Sequence, residues 1–368
     1  MPDPVLSPLA EFHLFQEAAL GEYHGALVPA RYTDPKAEYR AARNAAGIFD
    51  FSFRARFAAR GPDRGSFLHN VLSNDVKGLA PGQGVYATLL DVKGHILADL
   101  RVYCERDQIL VETDLDLLEK TMNALQRYII MDDVTLEPLK CFGVAVQGPR
   151  SRALVEKSLE NTLPPLSEFG HVRVACSGLP VHVVRASSTG EEGCELWAPL
   201  EGETRGAKML WETLLANAPG LGALPCGTEA LEMLRIEAGI PRHGVDFGED
   251  TLPLEAGLLN ALSFTKGCYP GQEIVERARS RGHVNWKLVG VAVDAPAPPA
   301  TGEKLLSDGR EVGEVTSACF SPSLDRSIAL AYVRREVSEP GARLTLASGS
   351  AATIHELPFY HPEPRGIE

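Results

Sequence analysis

The chain has 368 residues, of which 44% are hydrophobic and 23% charged, a balance typical of a globular protein with more than one domain. Its formal net charge of −13 argues against a nucleic-acid partner, because binding to phosphates requires clustered Lys and Arg. The seven cysteines are scattered without a C-x-x-C pair, so they predict reduced thiols in a cytoplasmic protein and neither a disulfide framework nor a zinc site. The N-terminus lacks a basic start followed by an apolar core, and no apolar run has the roughly 18 residues of a membrane span, so we expect no export and no membrane partner.

The first half of the chain predicts a mixture of helices and antiparallel strands. Residues 1–38 are interrupted by five prolines, and we interpret them as an N-terminal extension. From Tyr39 a helical spacing runs to Gly47, and the alternation that follows is typical of a half-buried strand. Two strand-like runs, VYATLLD and HILADLRVY, are joined by a polar, Gly-containing segment and predict a hairpin. A long amphipathic helix is then expected over residues 115–130.

The second half predicts further antiparallel strands and a small C-terminal barrel. The runs HVRVACSG and LPVHVVRA form a hairpin-like unit that leads through the turn S-S-T-G to the strand CELWAPL. Beyond Trp286, four short strand-like runs are separated by turn segments at regular intervals, which is typical of a β-barrel. Because strands and helices are mixed without regular βαβ alternation, the sequence predicts an α+β fold.

Six segments in a fixed order carry a resemblance to a known family. They are RNAAGIFDFS (43–52), SFLHNVLSNDVKGL (66–79), GHILADLRVY (94–103), TGEEGCELWAP (189–199), MLRIEAGIPRHGVDFGEDTLPLEAGL (233–258) and SFTKGCYPGQEIVERARSRGHVNWKLVG (263–290). With them the chain resembles the YgfZ/GcvT family of folate-binding proteins, which includes the T-protein aminomethyltransferase of glycine cleavage. The motif K-G-C-Y-x-G-Q-E at 266–273 is the hallmark of the YgfZ-like branch.

The resemblance implies a tri-lobed, GcvT-like α+β fold around a site for tetrahydrofolate. Two antiparallel sheet-plus-helix lobes are expected, followed by a C-terminal β-barrel. The predicted division is an N-terminal extension at 1–38, a folate-binding domain at 39–285 with lobes at about 39–140 and 141–285, and a barrel domain at 286–368.

Two carboxylates are the predicted contacts to the folate. A pterin presents two parallel N–H donors, which one carboxylate can accept together, and Glu195 matches the pterin-holding Glu of the family. Asp99 interrupts an apolar run on a predicted central strand, where an unpaired carboxylate would be costly to bury, so we expect it to have a partner or a ligand. In the T-proteins the matching Asp orients the aminomethyl donor. The alternative for Glu195 is a solvated strand carboxylate.

The K-G-C-Y-x-G-Q-E motif supplies a second group of candidate residues. Lys266 and Cys268 lie two apart, so in an extended segment they face the same side, and a nearby ammonium favours the thiolate. The alternatives are that Cys268 is a small buried hydrophobe and that Lys266 caps a carbonyl. Tyr269 would stack on a ring or fill the core, and Gln272 supplies a polar group at the start of a helix.

A dense basic stretch follows the motif. Arg277, Arg279, Arg281 and Lys287 stand close together in an acidic chain, and Arg281 is the predicted contact to an anionic part of the folate, such as a polyglutamate tail. A solvated helix face is the alternative.

No metal is predicted from the spacing of the histidines. The other cysteines and His13, His69, His95, His171, His182, His243, His283 and His355 show no pattern of the H-x-x-x-H kind.

Three functions fit these residues. The first is a tetrahydrofolate-binding accessory factor that assembles or repairs iron–sulfur proteins, with Cys268 as its working thiol and iron–sulfur client or assembly proteins as partners. The second is an aminomethyltransferase that transfers a one-carbon unit to tetrahydrofolate, although Ser188 stands where T-proteins carry Tyr and Leu231 where they carry Arg. The third is an interaction module that has kept the fold without the ligand.

Overall fold

The computed structural model describes residues 3–200, 204–280 and 284–362, and the chain divides into two compact units. The first unit consists of Met1–Leu90, Leu97–Leu231 and Asn260–Pro270. The second consists of Asp91–Ile96, Glu232–Leu259 and Gly271–Glu368. Among the described residues, no helix is both long enough and apolar enough to cross a membrane.

Fourteen strands occur in the described part of the first unit. In chain order they are β1 (Val5–Leu6), β2 (Ala19–Tyr23), β3 (Ala26–Arg31), β4 (Gly47–Asp50), β5 (Arg54–Arg60), β6 (Gly84–Leu90), β7 (Ile96–Cys104), β8 (Ile109–Asp114), β9 (Thr135–Leu139), β10 (Cys141–Gln147), β11 (His171–Cys176), β12 (Leu179–Arg185), β13 (Gly193–Pro199) and β14 (Leu224–Cys226). They form a three-stranded sheet in the order β1-β3-β2, a five-stranded sheet in the order β6-β7-β8-β5-β9 and a six-stranded sheet in the order β11-β12-β13-β10-β4-β14.

Eight α-helices accompany the strands in the described residues. They are α1 (Ala10–Phe15), α2 (Pro35–Asn44), α3 (Arg64–Val71), α4 (Leu118–Gln126), α5 (Ser151–Leu159), α6 (Arg205–Asn217), α7 (Thr228–Glu237) and α8 (Gln272–Ser280). The start of α2 shows how the local sequence sets a boundary, since Asp34 accepts a hydrogen bond from the Lys36 amide and Pro35 occupies the first turn.

The two larger sheets of the first unit each have a core on one face. Leu154 and Val155 of α5 and Trp211 of α6 pack on the six-stranded sheet, whereas Phe67 and Leu68 of α3 pack on the five-stranded sheet. A third, smaller cluster joins residues of the two sheets: Ala58, Tyr103, Leu110, Val184, Ala186 and Trp197. The faces opposite the helices therefore meet, and polar side chains on those faces are enclosed.

The second unit contains a closed barrel of six strands. They are β15 (Trp286–Val293), β16 (Lys304–Ser307), β17 (Arg310–Ser321), β18 (Arg326–Arg334), β19 (Arg343–Leu346) and β20 (Ala351–His355), in the order β15-β18-β17-β16-β19-β20. Val291, Leu305, Val315 and Val333 are among the residues that fill it. The predicted α+β class and C-terminal barrel are confirmed.

One predicted element is shorter than expected. The helix expected over residues 115–130 is a 3₁₀ turn at Leu115–Leu117 followed by α4, which ends at Gln126. Residues 127–130 lie outside any helix or strand, and Ile130 is 85% exposed, so the apolar spacing of this stretch does not correspond to a buried face at its end.

Candidate functional site

Strand β7 places two charged side chains on the enclosed face of the five-stranded sheet. Ala98, Leu100 and Val102 belong to the core beneath α3 and α4, so the alternation of a strand directs Asp99 and Arg101 to the opposite face.

Glu195 on β13 is buried and fully engaged. Its two neighbours Cys194 and Leu196 point into the core of the six-stranded sheet, and the Glu195 side chain is 1% exposed. Arg101 Nη1 donates to both carboxylate oxygens at 2.6 Å, and Ser188 Oγ donates to Oε1 at 3.0 Å. The alternative of a solvated strand carboxylate is therefore wrong for Glu195.

Asp99 differs because one of its oxygens is unsatisfied. Tyr86 Oη donates to Oδ2 at 3.1 Å, whereas Oδ1 is buried and has no hydrogen-bond partner within the described ranges. Burial and then the charge of Asp99 raise the pKa of Tyr86 well above its ordinary value, so the hydroxyl keeps its proton. Such an orphaned oxygen is typical of a position that meets a ligand.

A buried ionic network lies behind these two carboxylates. Glu112 is fully buried and forms ion pairs with Arg56 at 2.5 Å and with Arg54 and Arg101 at 3.2 Å. Burial by itself would raise the pKa of Glu112, but the three guanidinium groups outweigh it and hold that pKa well below its usual range. The network also holds Arg101, the partner of Glu195, because its Nη1 contacts Glu112 as well as Glu195.

Phe169 contacts both halves of the site. Its ring stacks on Tyr86 with centroids 6.3 Å apart, and the Arg101 guanidinium lies 5.8 Å from the ring centre. Phe169 has a φ of 56°, which is a strained conformation for a bulky side chain and is concentrated at functional sites.

Three residues of the K-G-C-Y-x-G-Q-E motif, Lys266, Cys268 and Tyr269, belong to the first unit. Lys266 Nζ donates to the carbonyl oxygens of His69 and Leu72, at the C-terminal end of α3, and lies 4.8 Å from the centre of the Tyr269 ring. This arrangement matches the alternative in which Lys266 caps carbonyls. Burial lowers the pKa of Lys266 to about 8. Tyr269 is buried, whereas Cys268 is exposed, so Cys268 is not a core residue.

Of the two remaining predicted folate contacts, Gln272 belongs to the second unit. Gln272 is the first residue of α8 and is half-buried. Arg281 lies outside the described residues.

With fold and site in place, comparison with known proteins gives consistent results. The family model for the GCVT N-terminal domain matches residues 9–266, and that for the glycine cleavage T-protein C-terminal barrel domain matches residues 287–361. The chain is 32% identical to an aminomethyltransferase from Halothermothrix orenii, over 96% of this chain and 99% of the relative. It is 30% identical to one from Nostoc sp., over 98% and 96%. The crystal structure of glycine cleavage system aminomethyltransferase T from Bartonella henselae has a TM-score of 0.89 and 26% identity, covering 97% of this chain and 98% of that one.

Fold and site define an α+β protein with buried carboxylates between two sheets. The chain belongs to the GcvT family, whose N-terminal and C-terminal barrel domains it contains. The GcvT-like fold expected from the sequence is confirmed.

One functional prediction is overturned. The expectation of an accessory factor for iron–sulfur proteins rests on eight motif residues, whereas relatives at 30–32% identity along nearly the whole chain are named aminomethyltransferases. The prediction of an iron–sulfur role, with its client proteins, is therefore wrong.

Three residues of the site are not predicted from the sequence: Tyr86, Arg101 and Phe169. Arg101 had a detectable signal, because it follows Asp99 by two positions on a strand and must share its face. Tyr86 and Phe169 had none, since their contacts depend on strand pairing and on a backbone conformation that the sequence does not reveal.

Proposed function

We propose that this chain is an aminomethyltransferase that transfers a one-carbon unit to tetrahydrofolate. The similarity to aminomethyltransferases along nearly the full length supports it. The structural observation that carries it is the buried, unpartnered Oδ1 of Asp99 beside the Tyr86 hydroxyl. An acidic group in this state is available to a substrate amine.

The residues present fit a folate. Family membership supports tetrahydrofolate as the ligand, as the resemblance implied. Asp99 Oδ1 lacks a donor, and Glu195 has the two-oxygen acceptor geometry that a pterin requires. Arg101 at present makes the contact that the pterin would make, so pterin binding requires Arg101 to release Glu195 while it stays paired with Glu112.

When bound, tetrahydrofolate accepts the one-carbon unit. Tyr86 holds Oδ2 of Asp99, which leaves Oδ1 to accept a hydrogen bond from the amine of the aminomethyl donor and to orient it. The donor would be carried by a lipoyl carrier protein. Ser188 keeps a hydroxyl on Glu195 where T-proteins have Tyr, and Leu231 leaves an apolar, buried position where they have Arg.

The test is aminomethyl transfer by the purified full-length chain. With an aminomethyl-loaded lipoyl carrier protein and tetrahydrofolate, the wild type should form methylenetetrahydrofolate and release ammonia and the dihydrolipoyl carrier protein. Asp99→Asn keeps the size of the side chain and removes its charge, so we expect a rate lower by about 10²–10⁴-fold. Glu137→Gln, on the exposed strand β9, is the matched control and should retain full activity. No turnover by the wild type, or an unchanged rate for Asp99→Asn, would refute the proposal.

The branch of the family, the role of the motif residues, the domain boundaries and the cellular location remain proposals. The K-G-C-Y-x-G-Q-E motif supports placement in the YgfZ-like branch of the family, and Lys266, Cys268, Tyr269 and Gln272 remain candidates on that ground alone. The domain boundaries after residues 38 and 285 are likewise proposals. The seven cysteines, all within the described ranges and all free, support a cytoplasmic location.

A further inference from the structure

A buried histidine on each of β11 and β12 and a carboxylate directly after β7 lie close together. We propose that Glu105, His171 and His182 bind a divalent first-row transition-metal ion, with Zn²⁺ as its representative. One ligand atom from each residue lies within 4.8 Å of the others. This site is separate from the Asp99 and Glu195 pair and independent of the proposed transferase reaction.

Strand register explains how distant residues come together. His182 on β12 is opposite Arg173 on β11, so His171 is its diagonal neighbour on the same face of the sheet. Glu105 follows directly after β7, which belongs to the facing five-stranded sheet. Ligands from two strands and from the residue after a third produce no H-x-x-x-H spacing, so the sequence predicts no metal.

Within the described ranges, the buried Nδ1 of His182 is the atom of this cluster that most clearly lacks a bonding partner. Its ring lies flat on Trp197, with centroids 3.9 Å apart and an interplanar angle of 9°. The residue is 7% exposed, and Nδ1 has no hydrogen bond to any described residue. The nearest carboxylate oxygen, Glu105 Oε1, is 3.6 Å from Nδ1, which is too far for a good hydrogen bond. Two ligand atoms bound tetrahedrally to one zinc ion are about 3.4 Å apart, so the separation of this pair suits a shared ion, and His171 would complete the set after a small adjustment.

A backbone contact orients the His171 ring. Its Nε2 lies 3.0 Å from the Cys104 carbonyl oxygen. A hydrogen bond from one ring nitrogen to a carbonyl oxygen fixes the orientation of a metal-binding imidazole.

Glu105 is oriented by contacts on its other oxygen. Gln108 Nε2 donates to Oε2 at 2.6 Å, and Arg173 Nη2 donates to the same atom. Oε1 is thereby left on the side of His182. Outer contacts that fix a ligating carboxylate in this way are characteristic of metal sites.

The ligand set favours zinc-like ions over calcium or magnesium. Two imidazoles and one carboxylate suit borderline transition metals, and three protein ligands leave a position for water. The other cluster of this kind in the described residues, His24 with Asp114 and Asp116, offers a single imidazole and two carboxylates, a set less suited to zinc. It serves as an internal control.

The decisive experiment is a zinc titration of the metal-free, full-length chain against a chromophoric chelator. All proteins carry Cys268→Ser, because an exposed thiol is itself a zinc ligand. We expect one equivalent of Zn²⁺ to bind, and we expect Glu105→Gln, His171→Gln and His182→Gln each to weaken binding by about 100-fold or more. His24→Gln should bind as the parent protein does.

Two further readouts keep the test valid if a buried variant is poorly folded. Zinc should raise the Tm of the parent protein and leave that of Glu105→Gln unchanged, since a ligand that binds only the native state stabilises it. Co²⁺ should quench the fluorescence of Trp197 through the stacked His182 ring. Absence of stoichiometric binding, equal affinity in the parent and in Glu105→Gln, or an equal loss in His24→Gln would each overturn the proposal.

Discussion

The enclosed faces of the first unit hold two kinds of buried polar group. Around Glu112, oppositely charged groups lie within 3.2 Å of one another, including Arg54, Arg56 and Arg101. Asp99 Oδ1 and His182 Nδ1 are just as buried, but within the described part of the chain neither has an ion pair this short, and the Glu105 carboxylate is 3.6 Å from His182 Nδ1. The contrast separates charges that hold two sheets together from groups available to a ligand, and it yields predictions for each kind.

The largest effect on stability is expected at Glu112. Glu112→Gln removes the anion shared by three buried guanidinium groups, and breaking a buried pair in this way costs about 3–5 kcal/mol of unfolding free energy. Chemical denaturation measures the loss. Glu137→Gln, which breaks the exposed pair with Arg60, is the control and should cost about 0–1 kcal/mol. Similar costs for the two variants would remove the distinction between the network and a surface pair.

Acid provides a second measurement of the same network. The folded-state pKa of Glu112 lies below its unfolded value, so its contribution is present above about pH 4.5 and is lost as the pH falls towards the folded-state value. The wild type should lose stability over that window, and the profile of Glu112→Gln should be flatter. Parallel profiles would show that Glu112 is not the group responsible.

An intermediate effect is expected at Arg101, which belongs to both kinds of site. Arg101→Leu frees Glu195 from its guanidinium partner, so tetrahydrofolate should bind about tenfold more tightly, a gain of about 1.4 kcal/mol by calorimetry. Arg60→Leu, on the exposed end of β5, should leave the affinity unchanged. Weaker binding by Arg101→Leu would instead make Arg101 a direct contact of the ligand.

The smallest effect is expected at Lys266. Lys266→Met removes a cation from the carbonyl end of α3, which should lower the unfolding free energy by about 0.3–1 kcal/mol. Lys208→Met, in an exposed pair on α6, is the control for loss of a lysine charge. If Lys266→Met were as stable as the wild type but inactive in aminomethyl transfer, the residue would have a functional role beyond capping.

The sequence predicted the strands better than the contacts between them. The hairpin of β11 and β12 and the barrel follow from alternation with a period of two, and turn residues mark their ends. Asp99 is singled out because it interrupts an apolar run, whereas Glu195 is predicted from the resemblance to the family and its neighbours alone would favour a solvated carboxylate.

The contacts that the sequence could not predict depend on strand register and on the packing of one sheet against the other. Arg101 and Glu195 are 94 positions apart, and only the packing of β7 against β13 brings them together. The sequence predicts no metal at His171 and His182 because they lack the spacing of two ligands on one helix. Only the register of β11 and β12 makes them diagonal neighbours. Phe169 has a left-handed backbone that no feature of its residue type foretells.

The way in which the chain is shared between the two units has a consequence for biosynthesis. The last segment of the first unit is Asn260–Pro270, in which Lys266 contacts the end of α3. When only residues 1–259 of a nascent chain have left the ribosome, the first unit still lacks its last segment. Two segments of the second unit have emerged by then. Both units must reach their final form late in translation, and a deletion that removes everything after residue 259 leaves neither of them whole.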